Sequence, residues 1–423
     1  MSAQFAGLKS YPVSVANQDV PSAWLSNSDP RVASANKKIV QVSSSTGTQT
    51  SGGLVSFILP ANLGAGMLVS GSAYIKFTVT VTQSATIAWA FKQYGSASSV
   101  VNRMTLLSSG AITEQILNYN KLYSALLLHA SNPSFAQGDD KINQYSFNGS
   151  FSAGASTTVC IPVLLGAFNS KQHLPLFLMN SCQLNVDLDT VANSIIQLST
   201  GGALTEYAVS SATLVFEQLC PDHAFEQGVK AMLGSRLYQM PINTFYNVRT
   251  AQSSSITQNI GLNCSSLKSI LWATVPQEGL QSASHFTDGG QQSCRVFLDG
   301  QLAFAGNLDN VSSQFLEMNR ALNTMWDSDR VSTGPVSDGG ATATVSDITI
   351  SSSGLTRAIY STGAYLGGIS TAKSSESGFS MSGVPVNSAV VEFVGTAGGT
   401  FYIFCALQQV ITIDQQGTCA LIR

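Results

Sequence analysis

The sequence closes on FYIFCALQQVITIDQQGTCALIR, residues 401–423, in which almost every second residue is apolar, β-branched or aromatic. That period marks half-buried strands, here a pair. Chain ends usually fray because they bury too little surface to offset the entropy of ordering them. This one carries enough hydrophobic area to hold itself down, so it is expected to pack against something.

Composition narrows what that something is. At 423 residues the chain exceeds the size at which one hydrophobic core keeps growing, so two domains are expected. Hydrophobic residues make up 44%, but only 10% are charged, against about 25% in an average soluble domain. Ser, Thr, Asn, Gln and Gly fill the gap, as in SSSTGTQTSGG (43–53) and SDGGATATVSDITISSSG (337–354), runs that favour turns and strands over helices. A weakly charged surface suits permanent subunit contacts. The formal charge is −3 and no basic run exceeds Lys37-Lys38, so strong direct nucleic-acid binding is not expected.

The seven cysteines (160, 182, 220, 264, 294, 405 and 419) include no CxxC and no histidine at zinc-ligand spacing. Most lie in apolar strand patterns, such as Cys160 in STTVCIPVLL and Cys405 in FYIFCALQQV, and read as buried free thiols in a reducing compartment. The start, MSAQFAGLKSYPVSV, lacks a signal-peptide layout, and no apolar run approaches the ~18 residues of a membrane span. The N-x-S/T matches at Asn148, Asn263 and Asn310 then read as chance.

Residues 1–36, with Pro12, Pro21, Pro30 and little periodicity, read as an extended N-terminal arm. Over 37–219 short alternating segments follow one another: KIVQVS, GLVSFILPA, SAYIKFTVTVT, TIAWAF, QYSFNGSFSA, TTVCIPVLL, CQLNVDLDT and YAVSSATLVFEQL. Turn residues separate most of them, the signature of an antiparallel sandwich or barrel. A second series fills 236–423, from RLYQMPINTFYNVRT through SLKSILWATVP, SCRVFLDG, QLAFAG, VSDITIS, LTRAIYS and AVVEFVG to the closing stretch. Between them, 220–235 predicts a linker helix opened by Pro221, with Phe225, Val229 and Met232 on its apolar face and Gly234 as its stop.

The two halves share a pattern. RMTLLSSGAITEQILNYNKLYSALLLHA (103–130) predicts strand, turn at Gly110, strand, then a helix carrying Leu117, Leu122, Leu126 and Leu127. In the second half, 295–329 repeats that order, with a hairpin turn at Asp299-Gly300, Ser312 as helix cap, and Phe315, Leu316, Met318, Leu322, Met325 and Trp326 as the apolar face. Hairpin-then-helix is also a common arrangement, so the pattern alone leaves duplication open.

No catalytic, cofactor or metal site is expected. The chain has no GxSxG, GxxxxGK[ST] or HExxH, and the nearest approach to a dinucleotide loop, GAGMLVSG (64–71), has the wrong third spacing and reads as a turn. His129, His173, His223 and His285 are scattered and read as structural or solvated. The acidic groups Asp139-Asp140, Asp187 with Asp189, and Asp327 with Asp329 match no complete calcium loop. Asp187 and Asp189 alternate with Val186 and Leu188, which predicts one solvent-facing side of a strand. Of Trp24, Trp89, Trp272 and Trp326, three sit in apolar patterns that read as core.

Four segments carry a resemblance: YGSASSVVNRMTLLSSGAITEQILNYNKL (94–122), LPLFLMNSCQLNVDLDT (174–190), ATLVFEQLCPDHAFEQG (212–228) and the closing 401–423. Together they make the chain similar, over nearly its whole length, to the double jelly-roll major capsid proteins of icosahedral DNA viruses. The resemblance implies an all-β fold with a few short helices, as two consecutive eight-stranded antiparallel jelly rolls. It implies a homotrimer forming a pseudo-hexameric capsomer, with neighbouring capsomers, penton and minor capsid proteins as further partners. It places the protein in the virion, assembled inside the host cell, and leaves open an inner membrane beneath the shell. Loops 276–293 and 331–345 would form the outward towers, without the long insertions of larger members. Since fold does not fix function, a carbohydrate-binding or fibre protein with an exposed Trp, and a hydrolase using Asp327 and Asp329, stand as alternatives. So does a single jelly-roll shell protein with a protruding second domain.

Overall fold

The computed structural model describes residues 35–83, 88–92, 96–129, 151, 154–197, 204–234, 236–276, 286–303, 308–322, 360–361, 365–372 and 383–422. The arm up to residue 34, the VSDITIS segment, the 331–345 loop, Trp24, Asp139-Asp140, His285, Met325, Trp326, Asp327 and Asp329 lie outside them.

Among the described residues the first half has eight principal strands: β1 (Asn36–Ser43), β2 (Leu54–Leu59), β3 (Tyr74–Gln83), β4 (Val101–Ser108), β5 (Ala111–Ile116), β6 (Ser156–Pro162), β7 (Cys182–Leu188) and β8 (Leu204–Cys220). Their antiparallel pairs are nested: β1 with β8, β2 with β7, β3 with β6 and β4 with β5. That is one ribbon folded about its middle. Further pairing of β8 with β3 and of β7 with β4 winds the ribbon into two sheets, ordered β1-β8-β3-β6 and β2-β7-β4-β5. This is a jelly roll.

The second half repeats the winding with β9 (Tyr238–Ala251), β10 (Ser255–Val275), β11 (Ser293–Leu298), β12 (Gln301–Leu302), β13 (Gly367–Ser370), β14 (Val384–Val394), β15 (Thr400–Ile413) and a terminal β16 (Cys419–Ile422). Here the second and third strands of the ribbon run on as β10. Its first part, from Ser255 to Gly261, pairs with β14, and its last part, from Leu267 to Val275, pairs with β15 and β13. Register slips at Gly261, Cys264 and Leu267 bend it from one sheet into the other. The nesting is otherwise the same: β9 with β15, β11 with β12, and β14 with β11. The repeated hairpin-then-helix pattern therefore reflects a repeated topology.

Within the closing stretch, β15 is paired on both sides over most of its length. β9 covers one side of β15 along all fourteen residues, while β10 pairs with Thr400–Leu407 on the other and β16 with Val410–Ile413. Phe401 through Cys405 are buried without alternation, so both faces of the strand are covered there.

Helices fall where the ribbon turns: α1 (Tyr119–His129) after β5, the one-turn α2 (Gly166–Asn169) after β6, α3 (His223–Leu233) between the halves, and α4 (Val311–Ala321) after β12. Two cap assignments change. Pro221 stands ahead of α3, and Asp222 is its cap, the carbonyl accepting from the amides of Phe225 and Glu226. Asn310 rather than Ser312 caps α4, its side chain accepting from the Ser312 amide at 2.8 Å. Gly234 ends α3 at φ +48°, and Asp299 and Gly300 turn the β11–β12 hairpin at φ +48° and +81°. The apolar faces differ too: Leu117 lies ahead of α1 and is exposed, Met232 is exposed on α3, and Phe315 and Leu316 are exposed on α4.

Candidate assembly surface

The residues weighed for chemistry have structural partners or lie outside the described region. Asp187 pairs with Arg103 at 2.7 Å on the outer face of β7. Asp189, expected beside it, is buried instead, because the strand ends at Leu188 after a register slip. Its carboxylate accepts from Asn120 Nδ2 (2.7 Å), Asn193 Nδ2 (3.1 Å) and the Thr190 amide (2.7 Å). A carboxylate so enclosed ties α1 to the end of β7.

His173 Nδ1 accepts from the Ser70 amide at 3.2 Å, and burial lowers its pKa. His223 bonds Gln227 one helical turn on, and His129 packs edge-on against Tyr360. Trp89 and Trp272 are buried, so among the described residues no tryptophan offers a sugar-stacking face. None of the seven cysteines is in a disulfide, and Cys160 is exposed on β6 rather than buried. No group of three or more metal-ligating residues occurs among the described residues, and no described helix is long and apolar enough to cross a membrane.

The glycine loop at 64–71 binds an anion of the protein's own. Gly64 and Gly66 donate their amides to the Glu226 carboxylate of α3, the latter at 3.0 Å, and Glu226 is buried. Gly66 has φ +61°, and a Cβ there would strike the Leu219 carbonyl, so only glycine brings this backbone to the carboxylate. α3 is thereby clamped to the first roll.

A second buried carboxylate sits where the rolls meet. Glu114 on β5 accepts from the amides of Gly166 (2.7 Å) and Ala167 (2.9 Å) at the start of α2, and the Thr244 side chain of β9 lies beside it. Burial raises its pKa, against the pull of Thr244 and the two amides, which favour the charged form. Around it, Ser170 Oγ donates to the Pro241 carbonyl at 2.9 Å, Asn247 Nδ2 donates to the Leu117 carbonyl, and the Asn180 amide donates to the Gly417 carbonyl at 3.0 Å. β5, Leu117 and α2 of the first roll thus seat on β9 and the β15–β16 turn of the second. Neither Glu114 nor Glu226 carries a sequence signal, because each is a lone acid whose partners are backbone amides distant in the chain.

No protein-family model matches the chain, and no curated protein sequence does. Among solved structures it is similar to PBCV-1 VP54 fitted into a reconstruction of the virophage Sputnik, with TM-score 0.61 and 14% identity over 92% of this chain and 97% of that one. A quasi-atomic model of the PBCV-1 virus capsid gives 0.60 and 13% over the same shares, and the Faustovirus major capsid protein 0.56 and 6% over 91% and 92%. The fold is the double jelly roll. At these identities the likeness rests on the path of the chain, and the nested pairing of both halves accounts for it strand by strand.

The described outer faces of the two rolls carry exposed apolar groups. Ile58, Gln183, Leu107 and Ile112 line up across β2-β7-β4-β5, with Ile58 and Ile112 more than half exposed. In the second roll Asn259, Val390, Phe297 and Leu302 line up in the corresponding row. Such rows suit contact with other protein surfaces better than chemistry on a small molecule.

Proposed function

We propose that this chain is a major capsid protein that self-assembles as a homotrimer, a pseudo-hexameric capsomer of an icosahedral DNA-virus shell. The observation that carries the reading is the repeated, nested winding of both halves in one chain, matched over nine-tenths of its length by capsid structures. Its working division is an N-terminal arm (1–36), a first roll (37–219), a linker helix (220–235) and a second roll (236–423). The role is structural rather than enzymatic. Trimers tile through weaker, wetter contacts that permit reversible growth, with penton and minor capsid proteins completing the shell in the virion.

Light scattering on the purified protein, followed by electron microscopy of the same fraction, tests this. A stable three-chain species with a six-sided outline is expected, and a monomer at every concentration overturns the reading. The arm is proposed to anchor neighbouring capsomers or an inner layer: deleting 1–30 should leave folded trimers that fail to form shells, and normal particles would refute it.

A further inference from the structure

Two cysteines face each other across the joint between the rolls. On β7, Val186 and Leu184 are buried opposite Met104 and Leu106 of β4, and one step further along the same row stand Cys182 and Ser108, both buried. From the second roll, the β15–β16 turn lies against the segment that leads into β7. The Asn180 amide donates to the Gly417 carbonyl at 3.0 Å, and a methyl group on Gly417 would lie 2.6 Å from that amide nitrogen. Each segment reaches its cysteine two residues past this contact, Cys182 from Asn180 and Cys419 from Gly417. Two residues span at most about 7 Å. Cys419, the first residue of β16, is buried with its thiol beside the Ser108 hydroxyl, and it acts electrostatically on Cys182. Thiols from opposite rolls thus share one buried corner.

We propose that Cys182 and Cys419 are a latent cross-link, reduced as the chain folds and joined as a disulfide on exposure to a peroxide, which ties the second roll to the first. Cys419 is the residue that reacts first. It lies on a terminal strand of four residues, the kind of element that opens at least cost, and burial raises its pKa less than that of Cys182. Its thiolate attacks the peroxide, the O–O bond breaks, and a sulfenic acid and water result. The Cys182 sulfur then attacks the Cys419 sulfur. The S–S bond forms, the S–O bond breaks, and the hydroxide leaves with the Cys182 proton as a second water. In all, two thiols lose two electrons and one peroxide becomes two waters. The bond closes a loop of more than half the chain, which removes freedom from the unfolded state. Both thiols lie in one chain, so the cross-link does not rest on the capsomer reading.

The test is the full chain carrying Cys160→Ser, which removes the exposed thiol on β6, purified reduced and then treated with hydrogen peroxide. Digestion without reductant and mass spectrometry should recover the Cys182 and Cys419 peptides joined, two hydrogens lighter than the separate pair, and dithiothreitol should part them. Amide hydrogen exchange over residues 419–422 should slow by roughly tenfold or more on oxidation and return with reductant. Adding either Cys182→Ala or Cys419→Ala should abolish both effects. Recovery of the two residues as thiols, or as separate sulfinic acids, overturns the inference. So does a bond between Cys264 and Cys405, which lie together in the second roll, formed in its place. A Cys182–Cys419 bond that leaves exchange at 419–422 unchanged overturns its role as a tie.

Discussion

A methyl group on Gly166 would lie 2.1 Å from the carbonyl oxygen of Asn243, so α2 of the first roll and β9 of the second are in backbone contact. The joint between the rolls is a packed interface built from amides, carbonyls and one buried carboxylate. Gly166→Ala is expected to push α2 off β9 and lower stability by about 1–3 kcal/mol, the usual cost of overpacking. Urea unfolding should show the lowered midpoint, and an unchanged midpoint would mean that the joint yields freely.

Glu114 gives the joint a pH dependence whose sign is fixed by its raised pKa. Because the folded state holds the proton more tightly than the unfolded chain, the group's contribution to stability is full below the unfolded carboxyl pKa and is lost as pH rises through the folded one. The stability of the wild type relative to Glu114→Leu should therefore fall with rising pH across that window. Glu114→Leu should also cost about 2–5 kcal/mol at every pH, since it leaves the Gly166 and Ala167 amides buried without an acceptor. Melting curves of both proteins over pH 4–8 read out slope and offset, and parallel profiles would contradict the assignment.

Asp189→Ala should destabilise the first roll by about 2–4 kcal/mol, because Asn120, Asn193 and the Thr190 amide all lose a buried charged acceptor. The effect should concentrate on α1, which hydrogen exchange at 119–129 would reveal. A solvated surface aspartate would leave both readings unmoved.

Thiol alkylation should separate the cysteines. Under native conditions Cys160 should label first and Cys220 more slowly, while Cys182, Cys264, Cys294, Cys405 and Cys419 should resist until unfolding. Burial supports this by raising the buried thiols, Cys419 to about 11. Peptide mass spectrometry after brief iodoacetamide treatment gives the order, and rapid labelling of Cys405 would contradict the burial of β15.

Much of the fold is legible in the residues alone, since period-two alternation is a local property of a half-buried strand. KIVQVS, SAYIKFTVTVT, CQLNVDLDT and the closing stretch all lie on strands, and Asp299-Gly300 turns a hairpin as its chemistry dictates. Local reading failed where the deciding partner is distant. Asp189 reads as the solvent-facing companion of Asp187 because alternation presumes a continuing strand, and only the end of β7 at Leu188 turns it inward onto Asn120. Cys160 sits among apolar neighbours yet faces out, because its strand alternates and the thiol falls on the outer phase. The sequence by itself determined the all-β class, the two series of strands with their repeated hairpin and helix, and the want of any catalytic motif. Tertiary structure alone decided which strands nest, that β15 is paired on both sides over most of its length, and that Glu114 and Glu226 accept from the amides of Gly166, Ala167, Gly64 and Gly66. Those outcomes depend on backbone amides brought together from far apart in the chain, and backbone groups are the same in every residue, so no pattern of side chains announces them.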